Sequence, residues 1–280
     1  MQSPSAENLF VGAGNLYFDR FDGDGKRTGL RHVGNCESLT ISPNGTDIEK
    51  RSSMDGANGI YKKIRVQRGA DIAIVLDEYT SKNLALQALG IEEPLLQASG
   101  TATDVSINNG EALNFGVWYQ LTKPSTHALG VINPTITSIK QGATVLVLNT
   151  DYEKDSESGM IRLLSSGAAS SSTPCTWTGT IPAITAEDGI RRVRGLEADS
   201  IEGFLFYKSA TNQLAGPRFQ LECWKVEIAA DSELQLIGTD FGSFTLKGTV
   251  LVDNTKPDGN KYYRLTQLTA EDSIEDEETA

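Results

Sequence analysis

Short stretches in which apolar and polar residues alternate dominate the chain, separated by Gly, Asn, Asp and Pro. A period of two puts successive side chains on opposite faces of a strand, so the pattern predicts many half-buried strands. Residues 16–18 read as a strand, 21–26 as a turn on Gly23 and Gly25, and 30–33 as its continuation. The clearest alternation runs over 60–77. Ile64, Val66, Ile72, Ile74 and Leu76 fall on even numbers, while Lys63, Arg65, Gln67, Asp71 and Asp77 fall on odd ones. With Arg68-Gly69 between the two arms, this predicts one hairpin with an apolar and a charged face. Further strands are predicted over 115–121, 144–148, 160–164, 204–207 and 219–228, and a final hairpin joins 244–252 to 262–268. In 219–228 the apolar phase changes from odd (Phe219, Leu221, Cys223) to even (Trp224, Val226, Ile228), which predicts a bulge or bend near Cys223-Trp224.

One helix is expected, over 81–89. Thr80-Ser81 offers an N-cap, Leu84, Ala85, Leu86, Ala88 and Leu89 favour the helix, and Gly90 can supply a left-handed stop. Residues 44–58 and 165–173 are small and polar and read as loops. No linker demands a second domain, so the expected organisation is an N-terminal arm (1–8), one domain (9–270) and a C-terminal tail (271–280) read as disordered. That tail holds six acids and no base.

Charge narrows the function classes. The net charge of the 280 residues is −12, and −6 without the tail. Tight general binding of nucleic acid needs clustered Lys and Arg, which this balance disfavours. No stretch approaches the ~18 consecutive apolar residues of a membrane-spanning helix, and residues 1–10 lack the pattern of a signal peptide. Cys36, Cys175 and Cys223 are scattered, and His32 and His127 are the two histidines, which predicts neither a disulfide framework nor a metal site.

Chemical motifs fail on inspection. Gly12-Ala13-Gly14 lacks the third glycine of a dinucleotide loop, since Tyr17 stands there and a strand follows. Asp22-Gly23-Asp24-Gly25, aligned as a calcium loop, would place Arg20 and Arg31 where acids are needed, so a hairpin turn is expected instead. Neither histidine has a nucleophile motif beside it, and nothing singles out a carboxylate pair among 37 acids. No catalytic residue and no cofactor is predicted, and the chain is not read as an enzyme. Two basic runs remain: Lys62, Lys63, Arg65, Arg68, and Arg191, Arg192, Arg194. Each is either a solvated face or a patch that meets acidic surface on another copy. Under the second reading the candidate subunit interface is Lys63, Arg65, Asp71, Asp77, Arg191, Arg192 and Arg194.

The order of several segments resembles the tail tube proteins of long-tailed bacteriophages. These segments are Gly14-Asn15-Leu16-Tyr17-Phe18 with Phe21-Asp22-Gly23-Asp24-Gly25-Lys26-Arg27-Thr28-Gly29, and Val33-Gly34-Asn35-Cys36-Glu37. Leu76-Asp77-Glu78-Tyr79 before Asn83-Leu84-Ala85-Leu86, Asp151-Tyr152-Glu153-Lys154-Asp155 with Gly159-Met160-Ile161, and Gly216-Pro217 follow. Leu236-Ile237-Gly238-Thr239-Asp240-Phe241-Gly242 with Gly248-Thr249-Val250-Leu251 completes the series. The resemblance spans 9–268 and implies a mainly β fold, a sandwich or barrel with one short flanking helix and long polar loops. It also implies a virion protein, made in the bacterial host cytoplasm, that forms hexameric rings stacked into a tail tube. The implied partners are further copies of itself, a tape measure protein, other tail proteins, and double-stranded DNA that passes through without specific binding; no membrane is involved. A competing reading is a β-sandwich carbohydrate-binding or adhesin module on a virion surface, with Trp177 as its exposed aromatic platform and Trp118 and Trp224 in the core.

Overall fold

The computed structural model describes residues 9–54, 56–212, 214–229 and 233–269. The expected N-terminal arm and acidic tail lie outside these residues. In chain order the strands are β1 (Gly14–Arg20), β2 (Arg31–His32), β3 (Cys36–Asn44), β4 (Asp47–Arg51), β5 (Ile60–Arg65) and β6 (Gly69–Leu76). Then come helix α1 (Ser81–Gln87), β7 (Ile91–Pro94), β8 (Gly100–Ser106), β9 (Trp118–Gln120), β10 (Thr135–Gln141), β11 (Thr144–Leu146), β12 (Tyr152–Asp155), β13 (Met160–Leu163) and β14 (Thr176–Ile181). The last are β15 (Arg191–Arg194), β16 (Ile201–Ser209), β17 (Phe219–Ala229), β18 (Phe244–Val250) and β19 (Tyr263–Gln267). With 48% of residues in strands and 5% in helices, the protein is mainly β, as the alternation predicts.

Within the span 9–270, read from sequence as one domain, there are two compact units. The first comprises Met1–Glu92 and Val193–Ala280, the second Glu93–Arg192. In the first unit eight strands form one sheet in the order β2-β1-β16-β17-β18-β6-β3, with β19 also on β17. Among the described residues the sheet does not close into a barrel. One face is buried by Leu16, Phe18, Ile72, Ile74, Leu76, Leu205, Leu221, Cys223, Val226, Ile228 and Leu246, and Leu86 and Leu89 from the helical segment join the same cluster. The second unit has a four-stranded sheet, β11-β10-β14-β8, and a three-stranded one, β12-β13-β9. Its core is built on Trp177, Ile107, Leu113, Leu121, Ile139, Ile161 and Leu163.

The phase change in β17 has the predicted cause. Gly203 pairs with Val226 but Leu205 with Cys223, so Trp224-Lys225 face the single residue Phe204 across a bulge. The same bend divides the partners of β17. Its first half pairs β19 and its second half β18. The predicted final hairpin is therefore corrected: β18 and β19 do not pair with each other but lie end to end along one edge of β17.

The predicted hairpin over 60–77 is also corrected. β6 pairs β3 on one side and β18 on the other, whereas β5 pairs β4. The loop read over 44–58 is corrected in part: the segment holds the end of β3 and all of β4, while 52–54 and 56–58 carry no strand. The chain runs out along β3 and β4 and returns along β5 and β6. The ladder is interrupted where the Thr46 carbonyl accepts from the amides of both Val66 and Gln67. Alternation specifies which face a side chain takes, not which strand lies beside it. Arg68-Gly69 imitates a turn, and Pro43, Asn44 and Gly45 mask the outgoing strand.

The helix starts as predicted, with Thr80 Oγ1 accepting from the Asn83 amide at 3.2 Å. It ends differently. Leu89, not Gly90, takes the left-handed backbone (φ 46°). Gly90 is needed for space, because a β-carbon there would strike the Arg194 carbonyl. The Asp22 turn is a side-chain-capped hairpin turn, with Asp22 Oδ1 accepting from the amides of Asp24 and Lys26.

Beside that turn, Asp19 is fully buried. It accepts from Arg27 Nε at 2.7 Å, Gly29 N at 2.8 Å, and Thr28 N and Oγ1 at 2.9 and 3.2 Å. Burial alone would raise its pKa, but the Arg27 contact and the Gly29 and Thr28 amides outweigh burial and hold it below the usual range. A carboxyl with a depressed folded pKa contributes stability that is complete above ~4 and is lost as pH falls through the folded value. Asp19→Ala is expected to cost about 2–3 kcal/mol at pH 7. The gap to wild type in urea unfolding should narrow below pH ~4. A gap that widens in acid would refute this account of the Asp19 site.

Candidate assembly surfaces

Six of the seven interface candidates lie on β5, β6 and β15, and Asp77 lies just beyond β6. Lys63 and Arg65 are on β5, in the outer half of the long hairpin. The register sets Asp47 opposite Arg65 and Glu49 opposite Lys63. Lys63 Nζ lies 3.1 Å from both Asp47 Oδ2 and Glu49 Oε1, and Arg65 Nε 2.9 Å from Asp47 Oδ1. Arg65 and then Lys63 pull the Asp47 carboxyl down to about 2, and Asp47 in turn raises the pKa of both cations. Lys63 and Arg65 of this basic run are thus matched by acids of the same hairpin.

The other face of the same two strands differs. Ile48 faces Ile64, and the next pair is Lys50 opposite Lys62. Ile48, Ile64 and Val66 are 62%, 51% and 51% exposed, so this outer half leaves its apolar row in water. Neither Lys50 nor Lys62 has an ion pair among the described residues. Like charges directly across a strand pair repel.

Asp71 and Asp77 are intramolecular tethers. Asp71 accepts from Asn44 Nδ2 at 2.6 Å and from Thr249 Oγ1 at 3.3 Å, linking β3, β6 and β18 where the arm begins. Asp77, just beyond the other end of β6, accepts from Asn35 Nδ2 at 2.5 Å. Arg191, Arg192 and Arg194 lie on β15, where Arg194 Nε is 3.7 Å from Glu197. Arg192 lines an open cleft of about 700 Å³ in the second unit together with Leu95, Leu129, Ile132 and Glu157.

The segment 233–243 between β17 and β18 contains residues 236–242, which the resemblance reads as part of the closing strands, but it holds no strand. Leu236, Ile237 and Phe241 are 75%, 90% and 100% exposed. Its base is pinned by Tyr79, whose hydroxyl lies within donating distance of the Gln235 and Ser243 carbonyls at 3.2 and 3.3 Å. Gly238, Asp240 and Gly242 were the turn signal available in the sequence.

The profile of a family described as "Protein of unknown function UCP028589" matches residues 9–266. The chain belongs to this family. No curated protein matches it.

In this UCP028589 protein two of the three tryptophans, Trp177 and Trp118, are placed the other way round from the sequence reading, while Trp224 is half-buried. Trp177 is fully buried, and its Nε1 donates to the Thr122 carbonyl at 3.0 Å. Trp118 is 40% exposed beneath the Arg162 guanidinium. The Ser/Thr/Pro-rich stretch around Trp177 made it the candidate for an exposed platform, but residues 176–181 form the inner strand β14, flanked by β8 and β10. Among the described residues no three His, Cys, Asp or Glu side chains gather as metal ligands. His127 is engaged on both ring nitrogens, by Thr126 Oγ1 and the Ala98 carbonyl. Cys223 has its thiol pushed up to about 12 by burial, far from the range of a reactive thiolate.

Proposed function

We propose that this UCP028589 protein is the protomer of a bacteriophage tail tube, a structural virion protein whose copies form hexameric rings stacked around a tape measure protein. The tube then serves as the conduit for double-stranded DNA. The observation that carries this reading is the outer half of the long hairpin. It places two paired strands beyond the sheet, contributes nothing to the buried cluster of its own unit, and exposes Ile48, Ile64 and Val66. Exposed contiguous apolar surface of this kind marks an interaction site. The order of segments resembling tail tube proteins supports the same reading, as does the mainly β fold with open sheet edges at β2 and β3, which further strands can pair. The net charge of −12 suits a lumen that repels phosphate and lets DNA slide.

The test is electron microscopy of purified protein in negative stain over a rising concentration series. Rings or hollow tubes are expected, with sedimentation shifting to large species in parallel. A monomer at every concentration would overturn the proposal and favour the competing carbohydrate-binding or adhesin module, which would then need an aromatic platform other than the buried Trp177.

A further inference from the structure

Two exposed apolar features of the first unit leave its sheet at opposite ends of the same three strands. β3 and β6 pair from Cys36 with Leu76 to Asn44 with Gly69, and the arm carries on beyond the Asn44–Gly69 end. The 233–243 loop enters β18 at Phe244, which pairs with Leu76. The eight residues of β6 separate the two exits by about 23 Å. The arm then carries Ile48 and Ile64 farther away. One chain cannot bring its own loop onto its own arm, but two chains can.

Their chemistry matches. The arm face offers Ile48 and Ile64 with Lys50 and Lys62 beside them. The loop offers Leu236, Ile237 and Phe241 with Asp240 beside them. An apolar tip flanked by a carboxylate fits an apolar row flanked by two unpaired ammonium groups. We propose that the 233–243 loop of one copy seats on the Ile48/Ile64 face of the arm of a second copy, with Asp240 between Lys50 and Lys62. This rests on the self-assembly reading above and names the surfaces that make it. Taken head to tail, with loop and arm as different patches, the contact is heterologous. Each copy donates at one end of β6 and accepts at the other, and the contact repeats into a ring or a stack without pairing the copies off as closed dimers.

The experiment uses the full chain with Cys36→Ser, since Cys175 and Cys223 are buried. Phe241→Cys and Ile64→Cys are made in separate chains, mixed under assembly conditions and treated with a short bismaleimide. A covalent dimer is expected from the mixture, and a ladder of multimers from one chain carrying both. In parallel, Asp240→Lys is expected to lower the assembled fraction about tenfold, as loss of ~1.4 kcal/mol would. Lys50→Glu with Lys62→Glu should restore it. Apart from Cys36, which is half-buried, the changed positions are exposed, so far-ultraviolet dichroism and melting temperature should stay at the values of the Cys36→Ser chain. Assembly without cross-linking, or without rescue by charge exchange, would overturn this inference and leave the tail tube reading standing. If the unmodified protein does not assemble at all, both fall together.

Discussion

Replacing residues 45–68 by a two-residue Asn-Gly turn is expected to leave the first unit folded and to abolish assembly. The register allows the cut. Asn44 pairs with Gly69 in the last position of the β3–β6 ladder, and Asn-Gly supplies the two left-handed residues that close such a pair. The deleted stretch contributes no residue to the buried cluster of that unit. What goes is an exposed ion-pair set, in which Lys63 is bonded to Asp47 and Glu49, and a contact of the Tyr262 hydroxyl with the Arg68 carbonyl. Surface pairs of this kind add at most about 1 kcal/mol each, so the melting temperature should move by only a few degrees. The assembled fraction, read by sedimentation and by counting tubes, should fall below detection. Normal tubes from the shortened chain would remove the arm from the mechanism. Deleting only residues 46–57, as a polar-loop reading suggests, is a poorer test. It takes out β4 and leaves β5 with an unpaired, apolar edge, which invites aggregation.

Faces were legible in the sequence, and neighbours were not. The even row of β6 is buried as alternation predicts, and the odd-to-even switch in β17 located a bulge that the pairing of Gly203 and Leu205 reproduces. Both are local consequences of a two-residue period. The partner of β5 is a long-range fact. Its own alternation serves equally well beside β6 or β4, and the deciding strand, β4, is polar except for Ile48 because neither of its faces meets the core. The same limit explains β18 and β19. Both were found as strands, but β17, which accepts both, lies earlier in the chain and bends between them.

The candidate site shows a parallel limit. Lys63 and Arg65 were found as an outward charged row, and that is where they stand. Their neutralisation by Asp47 and Glu49 depends on the same unseen pairing. The 233–243 loop had its turn residues in plain view, but exposure of Phe241 is not a property of its neighbours in sequence. Leu89 taking the left-handed position in place of Gly90 is of the same kind. The crowding that requires glycine comes from Arg194, about a hundred residues away.

The largest loss of stability is expected from Trp177→Ala. The ring fills the centre of the second unit, opposite Ile139 on one neighbouring strand and Val105 on the other. Truncating a fully buried aromatic leaves a cavity that the surrounding strands close only in part, which costs about 3–5 kcal/mol. The change also leaves the Thr122 carbonyl without its indole donor, which adds about 1 kcal/mol. For a unit of this size the total is a large part of the ~5–15 kcal/mol that holds a domain folded. The melting transition of this unit should drop by more than about 10 °C, and limited proteolysis should open sites within Glu93–Arg192. Trp118→Ala is the matched comparison. It gives up one cation–π contact with Arg162, a guanidinium that keeps its pairing with Glu153, and is expected to cost no more than ~1 kcal/mol. If Trp118→Ala proves the more damaging of the two, the burial order of these rings is wrong. Trp177 would then be free to serve as the exposed platform that a carbohydrate-binding module requires.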